Sequence, residues 1–98
     1  MLTKNEIEKI GQEYINEIQK RTGIEMIIVS YRTIEKPYGF IYSYTSKKLF
    51  ETKDDRYAVA GNAPFLIEKE TGNIIVFGTA NIREYYIEEY EAGRWPKK

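Results

Sequence analysis

No cysteine and no histidine occur among the 98 residues of this chain. Disulfide staples and Cys/His zinc sites are thereby excluded, as is catalysis by Ser-His-Asp or Cys-His constellations. Glu, Asp, Lys, Tyr and Ser are the reactive side chains left. Net charge is missing as well, because fifteen Lys+Arg balance fifteen Asp+Glu. Without it there is no long-range attraction to phosphate, so nucleic-acid binding would need a local basic patch. The longest purely aliphatic run, Met26 to Val29, falls far short of the ~18–20 residues that span a bilayer. The amino terminus is polar with no signal-like apolar stretch behind it, and no Asn-x-Ser/Thr glycosylation acceptor occurs. A reducing cytoplasm is therefore expected, with no membrane or nucleic-acid partner, no metal and no cofactor. What is present is 42% hydrophobic and 14% aromatic side chains, enough for one core and one domain over residues 1–98.

Thr3 followed by Glu6 forms a capping box, each side chain able to satisfy a free amide at a helix start. Ile7, Ile10, Tyr14, Ile15 and Ile18 then recur at helical spacing, and Gly23 supplies a left-handed stop, so a helix is predicted to about Thr22. Gly11 inside it implies either the close approach of another backbone or simple tolerance. From Glu25 to Lys36, β-branched residues and alternation predict one long strand. Pro37-Tyr38-Gly39 turns the chain into a second strand from Phe40 to Thr45, completing a hairpin. Ser46 to Ala60 reads as a charged, solvated loop with one turn of local structure. Phe65–Glu68 and Asn73–Phe77 form a second hairpin around Gly72. Asn81 and Glu84 repeat the capping pattern for a last helix with Ile82, Tyr86, Ile87 and Tyr90 on one side, ended by Gly93. The order α-β-β-β-β-α predicts an α+β domain: a four-stranded antiparallel sheet with both helices packed on one face.

Candidate chemistry is sparse. Asp54-Asp55 could offer oxygen ligands to a hard cation, but nothing in the sequence completes the shell, and a charged loop paired with Arg56 explains them better. Glu51-Thr52-Lys53 matches a fragment of a metal-dependent nuclease pattern without its upstream aspartate. Gly61-Asn62-Ala63-Pro64 lacks the glycines and following helix of a phosphate loop and reads as a structural corner. Of nine tyrosines, Tyr14, Tyr86 and Tyr90 lie on apolar helix stripes, while Tyr38 and Tyr57 are expected to stay accessible. Glu84, Glu88 and Glu91 make an acidic ridge, ordinarily a solvated face and alternatively a landing site for a basic partner. Trp95 either covers the core edge or stays exposed.

The stretch Ala60-Gly61-Asn62-Ala63-Pro64-Phe65 to Glu68-Lys69-Glu70-Thr71-Gly72-Asn73-Ile74, followed by Gly78-Thr79-Ala80 and Tyr86-Ile87-Glu88-Glu89-Tyr90-Glu91, resembles the signature of the YrhB-like, immunity protein 35 family. The likeness covers about the last third of the chain; the first 59 residues match only in pattern. The resemblance implies a small, non-catalytic cytoplasmic bacterial protein that neutralises a cognate toxin by binding it. It names no toxin-contacting residue.

With both helices on one face, the other face of the sheet would present Ile28, Ser30, Arg32, Ile41, Ser43 and Thr45 from the first hairpin, rimmed by Asp54, Asp55 and Tyr57. That face is the expected partner-binding surface, against the alternative of an ordinary wet sheet face. A chaperone-like or homo-oligomeric module using the same face or a free strand edge is the competing reading. A metal-dependent enzyme on Asp54 and Asp55 is the third.

Overall fold

The computed structural model describes residues 1–59 and 61–96; Ala60, the first residue of the family-like segment, lies outside them. Helix α1 (Lys4–Thr22) starts at the capping box: Thr3 Oγ1 accepts from the Glu6 amide at 3.2 Å and the Glu6 carboxylate accepts from the Thr3 amide at 2.9 Å. Gly23 ends it at φ 71°. Ile7, Gly11, Ile15 and Ile18 form its buried stripe. A Cβ on Gly11 would stand 3.4 Å from Ile67 Cδ1 and 3.7 Å from Tyr42 Cε2, so only side chains approach it and no backbone does. Gly11→Ala is therefore expected to raise stability by up to about 1 kcal/mol through helix propensity, read as a higher urea midpoint; a lowered midpoint would mean that these side chains cannot yield.

The predicted long strand is broken in two. Strands β1 (Met26–Ile28) and β2 (Ile34–Lys36) flank a 3₁₀ turn at Ser30–Arg32, and the returning chain divides into β3 (Gly39–Tyr42) and β4 (Tyr44–Ser46). Between the pairs Ile28↔Tyr44 and Ile34↔Ile41 the outgoing chain has five residues, 29–33, and the returning chain two, 42–43. The turn absorbs the odd excess of three, so the face assignment of the two strands no longer matches across the bend. One expected sheet becomes two: a β1-β4 ribbon and a four-stranded antiparallel sheet ordered β2-β3-β5-β6. The last two strands are β5 (Phe65–Glu68) and β6 (Ile74–Val76), joined through Gly72 at φ 76°. Helix α2 (Lys47–Thr52) and a second 3₁₀ turn at Asp55–Tyr57 fill the charged loop, and α3 (Arg83–Glu91) follows β6.

The two helices lie on opposite faces of the four-stranded sheet, which corrects the one-sided arrangement. Phe40, Tyr42, Phe65 and Ile67 pack with Ile7, Ile15 and Ile18 of α1, while the alternate residues Ile41 and Leu66 pack with Phe77 and with Tyr86 and Ile87 of α3. Strands apolar at every position need cover on both sides. Ile41 is consequently 0% exposed and belongs to the core, not to a docking face.

Helix α3 also begins differently from the Asn81 cap: its N-cap is Ile82, without a side-chain cap bond, and Ile82 is exposed instead of buried. Its first residue, Arg83, reaches the bend, where Nη1 donates to the Arg32 carbonyl at 2.7 Å and lies 3.5 Å from Ser43 Oγ. Gly93, at φ 77°, follows the end of α3 as expected. Trp95 covers the core edge, Nε1 donating to the Val76 carbonyl at 3.1 Å and the ring meeting Tyr86 edge-on at 4.9 Å. The Gly61–Pro64 segment is a structural corner: Asn62 Nδ2 donates to the Tyr44 carbonyl at 3.0 Å, and the Pro64 carbonyl accepts from the Phe77 amide at 2.9 Å.

Packing also sets the pH response. Burial, then the Glu8 and Glu35 charges, pushes the Tyr42 phenol up to about 12. Burial, then its bond to Glu68, does the same for Tyr90, and Tyr38 rises as well through burial and its bond to Glu91. Because the folded values lie above the unfolded one, this stability is fully present below pH about 10 and is lost as pH rises toward about 12. With no histidine, the urea midpoint is expected to stay flat from about pH 6 to 9 and then fall together with tyrosinate absorbance. A midpoint that moves around pH 7 would contradict this.

Candidate functional site

The bend turns side chains outward. Arg32 N donates to the Val29 carbonyl at 3.0 Å and Thr33 N to the Ser30 carbonyl at 3.1 Å, closing a turn that Arg83 pins from α3. Tyr31, at its apex, is 79% exposed and makes no ring contact or hydrogen bond with another described residue. The Arg32 side chain likewise forms no ion pair among the described residues, although Glu84 feels its charge.

Opposite the turn stands the α2 segment, held by a buried serine. Ser46 Oγ accepts from the Leu49 amide at 3.0 Å as the α2 N-cap and donates to the Tyr57 carbonyl at 2.6 Å. A single hydroxyl thus ties β4, α2 and the second 3₁₀ turn together. Lys53 ends α2 in the left-handed region, φ 60°, with its amine 5.5 Å from the Phe50 ring centre.

Between bend and α2 lies a groove of about 490 Å³, with Leu49 and Phe50 half-buried along it and Tyr31, Arg32, Lys53 and Asp55 among the residues that line it. Ser43 and Thr45 line its ribbon side. Four of the nine expected contact residues, Arg32, Ser43, Thr45 and Asp55, are therefore brought together here. Ile28 and Ser30 border a different groove, beside α1, and Tyr57 a third beside Ile24, where Lys48 Nζ sits 5.1 Å from its ring centre. Asp54 is turned into its own loop: it caps the second 3₁₀ turn by accepting from the Arg56 amide at 3.0 Å and pairs with the Arg56 guanidinium at 2.7 Å. That pairing holds the Asp54 carboxyl below its usual range. Asp54 and Asp55 thus do not act as a pair, and no three His, Cys, Asp or Glu residues converge on a common point among the described residues.

Sequence reasoning missed Tyr31, Leu49, Phe50 and Lys53. A continuous strand over Glu25–Lys36 would set Tyr31 on the face opposite Ser30 and Arg32, and its turn carries no glycine or proline to mark it. The acidic ridge is largely neutralised from within: Glu84 pairs with Arg83 at 3.3 Å, and Glu91 with Lys36 at 3.4 Å and the Tyr38 hydroxyl at 2.6 Å. Tyr38, expected to be accessible, is half-buried against Tyr90, their ring centres 5.0 Å apart.

An exposed tyrosine and an arginine without an ion pair among the described residues, beside a mixed-charge, partly apolar groove, match the composition of protein-recognition surfaces. No described helix is long and apolar enough to cross a membrane. No solved structure matches the chain. A curated relative, the uncharacterized protein YrhB of Escherichia coli (strain K12), is 40% identical over 53 residues, covering 54% of this chain and 56% of that protein. The chain thus matches about half the length of that relative. The family described as immunity protein 35 matches residues 6–93, which takes in all but the first two residues of α1, both sheets and α3, and the chain belongs to that family.

Proposed function

We propose that this chain is an immunity protein that binds and neutralises a cognate protein toxin inside the producing cell, and that the groove between the Ser30–Arg32 turn and α2 is its docking surface. The family membership supports the class of function. The surface rests on one observation: the Tyr31 and Arg32 side chains are presented together, with no hydrogen bond or ion pair to another described residue, on a turn anchored by Arg83. Tyrosine and arginine dominate binding energy at interfaces because they bury large area and desolvate well-placed hydrogen-bonding groups. Neutralisation by contact needs no catalytic group, in keeping with an aspartate pair split between Arg56 and the groove.

The test is the product of the adjacent reading frame. Its expression should kill cells, co-expression of this chain should rescue them, and the two proteins should co-purify as a defined complex. A non-toxic neighbour, or rescue without a complex, would contradict the reading. The competing role as a self-associating module is favoured by exposed Val76 on the edge strand β6 and by Ile82, 46% and 70% exposed. Concentration-dependent sedimentation abolished by Val76→Lys would support that role instead.

A further inference from the structure

Lys53 is the one non-glycine residue with a positive φ among the described residues. It stands where α2 ends, at φ 60° and ψ 22°, a conformation that glycine adopts freely and that a Cβ makes costly. Helix α1 ends in the same conformation on Gly23. A residue kept where glycine would fold better implies a use for its side chain. Within the chain that side chain has little to do: its amine lies 5.5 Å from the Phe50 ring centre and forms no ion pair among the described residues.

The groove between the bend and α2 is lined by three charged side chains, Arg32 on the wall of the bend and Lys53 and Asp55 on the wall of α2. The neighbouring cations Lys47, Arg56 and Arg83 are each paired, with Glu25, Asp54 and Glu84. Arg32 and Lys53 have no such pair among the described residues, Arg32 acting on Glu84 only through its charge. Half-buried Leu49 and Phe50 lie along the same groove. A basic occupant would meet two uncompensated cations against one carboxylate. A nucleic acid would find only those two cations, beside a repelling carboxylate, on a chain with no net charge. A carboxylate next to an apolar side chain fits on both counts, with charged donors for its oxygens and an apolar strip for its neighbour.

We propose that this groove receives an acidic segment of the toxin, with an Asp or Glu carboxylate set between Arg32 and Lys53 and an adjacent apolar side chain on Leu49 and Phe50. The proposal rests on the docking role given to the same groove and specifies the chemistry it takes. It also fixes two signs. Lys53 costs the free chain stability and strengthens the complex, and Asp55 repels the carboxylate that the two cations attract.

The experiment measures the affinity of the purified product of the adjacent reading frame for the full chain and its variants, together with the urea midpoint of each variant alone. Lys53→Gly is expected to bind about tenfold more weakly and to unfold at a higher urea concentration than the parent, whereas Lys53→Arg keeps the parental affinity. Asp55→Asn is expected to bind about threefold more tightly. Both differences should shrink in about 0.5 M NaCl through screening. The proposal is overturned by parental affinity in Lys53→Gly, or by unchanged or weaker binding in Asp55→Asn. A Lys53→Gly chain less stable than the parent would give the lysine a structural role and overturns it too. Binding of a short single-stranded RNA by this chain alone, lost in Lys53→Gly, would assign the groove to nucleic acid instead. Absence of any complex with the parent chain defeats the toxin reading itself, whereas a complex with the wrong signs defeats only the acidic segment.

Discussion

Phe65→Ala is expected to destabilise the fold by about 3–5 kcal/mol, a large share of the roughly 5–15 kcal/mol available to a small domain. Phe65 is 0% exposed, and its ring meets those of Tyr14, Tyr42 and Tyr44 at 4.5, 5.6 and 6.1 Å. Truncation would open a cavity shared by α1, β3 and β4, bounded by aromatic rings that close poorly around a void. Its neighbour Leu66 is also 0% exposed but faces α3, so Leu66→Ala is expected to cost about 2–5 kcal/mol. The pair of variants tests the two-sided sheet. Were the α3 face open to water, Leu66→Ala would be nearly silent while Phe65→Ala stayed severe. Urea melts followed by Trp95 fluorescence read both, because Trp95 packs on Tyr86 within the α3 cluster.

Tyr31→Ala and Arg32→Glu are each expected to weaken binding of the proposed toxin partner by about 30-fold or more, corresponding to about 2 kcal/mol, with the urea midpoint little changed. Neither side chain makes a hydrogen bond, ring contact or ion pair with another described residue, Arg32 acting on Glu84 only through its charge, so neither substitution removes a packed contact. The bond that pins the turn uses the Arg32 carbonyl, not its guanidinium, and survives the change. Most of the loss should appear in the dissociation rate. A charge reversal at Lys9, exposed on α1, serves as the control and should leave affinity unaltered. Full affinity in both groove variants would remove the groove from the interface.

Features governed by local chemistry were legible in the sequence. The Thr3–Glu6 box, the left-handed glycines Gly23, Gly72 and Gly93, and the 65–76 hairpin follow from rules that act over a few residues. The break at Ser30–Arg32 was not legible, because three residues of ordinary strand or loop character form a 3₁₀ turn whose Arg32 carbonyl is held by Arg83, some fifty positions later in the chain. The start of α3 differs from the expected Asn81 cap as well: Ile82 is the N-cap and makes no side-chain cap bond, so the Asn81–Glu84 spacing carries no capping box here.

The faces of the sheet were readable in principle. Phe40-Ile41-Tyr42 and Phe65-Leu66-Ile67 are apolar at consecutive positions, the pattern of strands covered on both sides, whereas one wet face calls for alternation. Weighing that run against the α-β-β-β-β-α order would have placed one helix on each face. The candidate site was legible in part: Arg32, Ser43, Thr45 and Asp55 meet at one groove, but Ile41 is core and Asp54 serves its own turn. The side chain that best marks the groove, Tyr31, is outward only because the turn makes it so.

Amide hydrogen exchange on the purified complex with the adjacent frame's product tests the docking surface most directly. Slowed exchange is expected at residues 30–33, 43–45 and 49–55, on both sides of the groove, with little change along the outer face of α1 and over the β5–β6 hairpin. Slowing confined to α1 or to that hairpin, with the Ser30–Arg32 turn exchanging as in the free protein, would contradict the account.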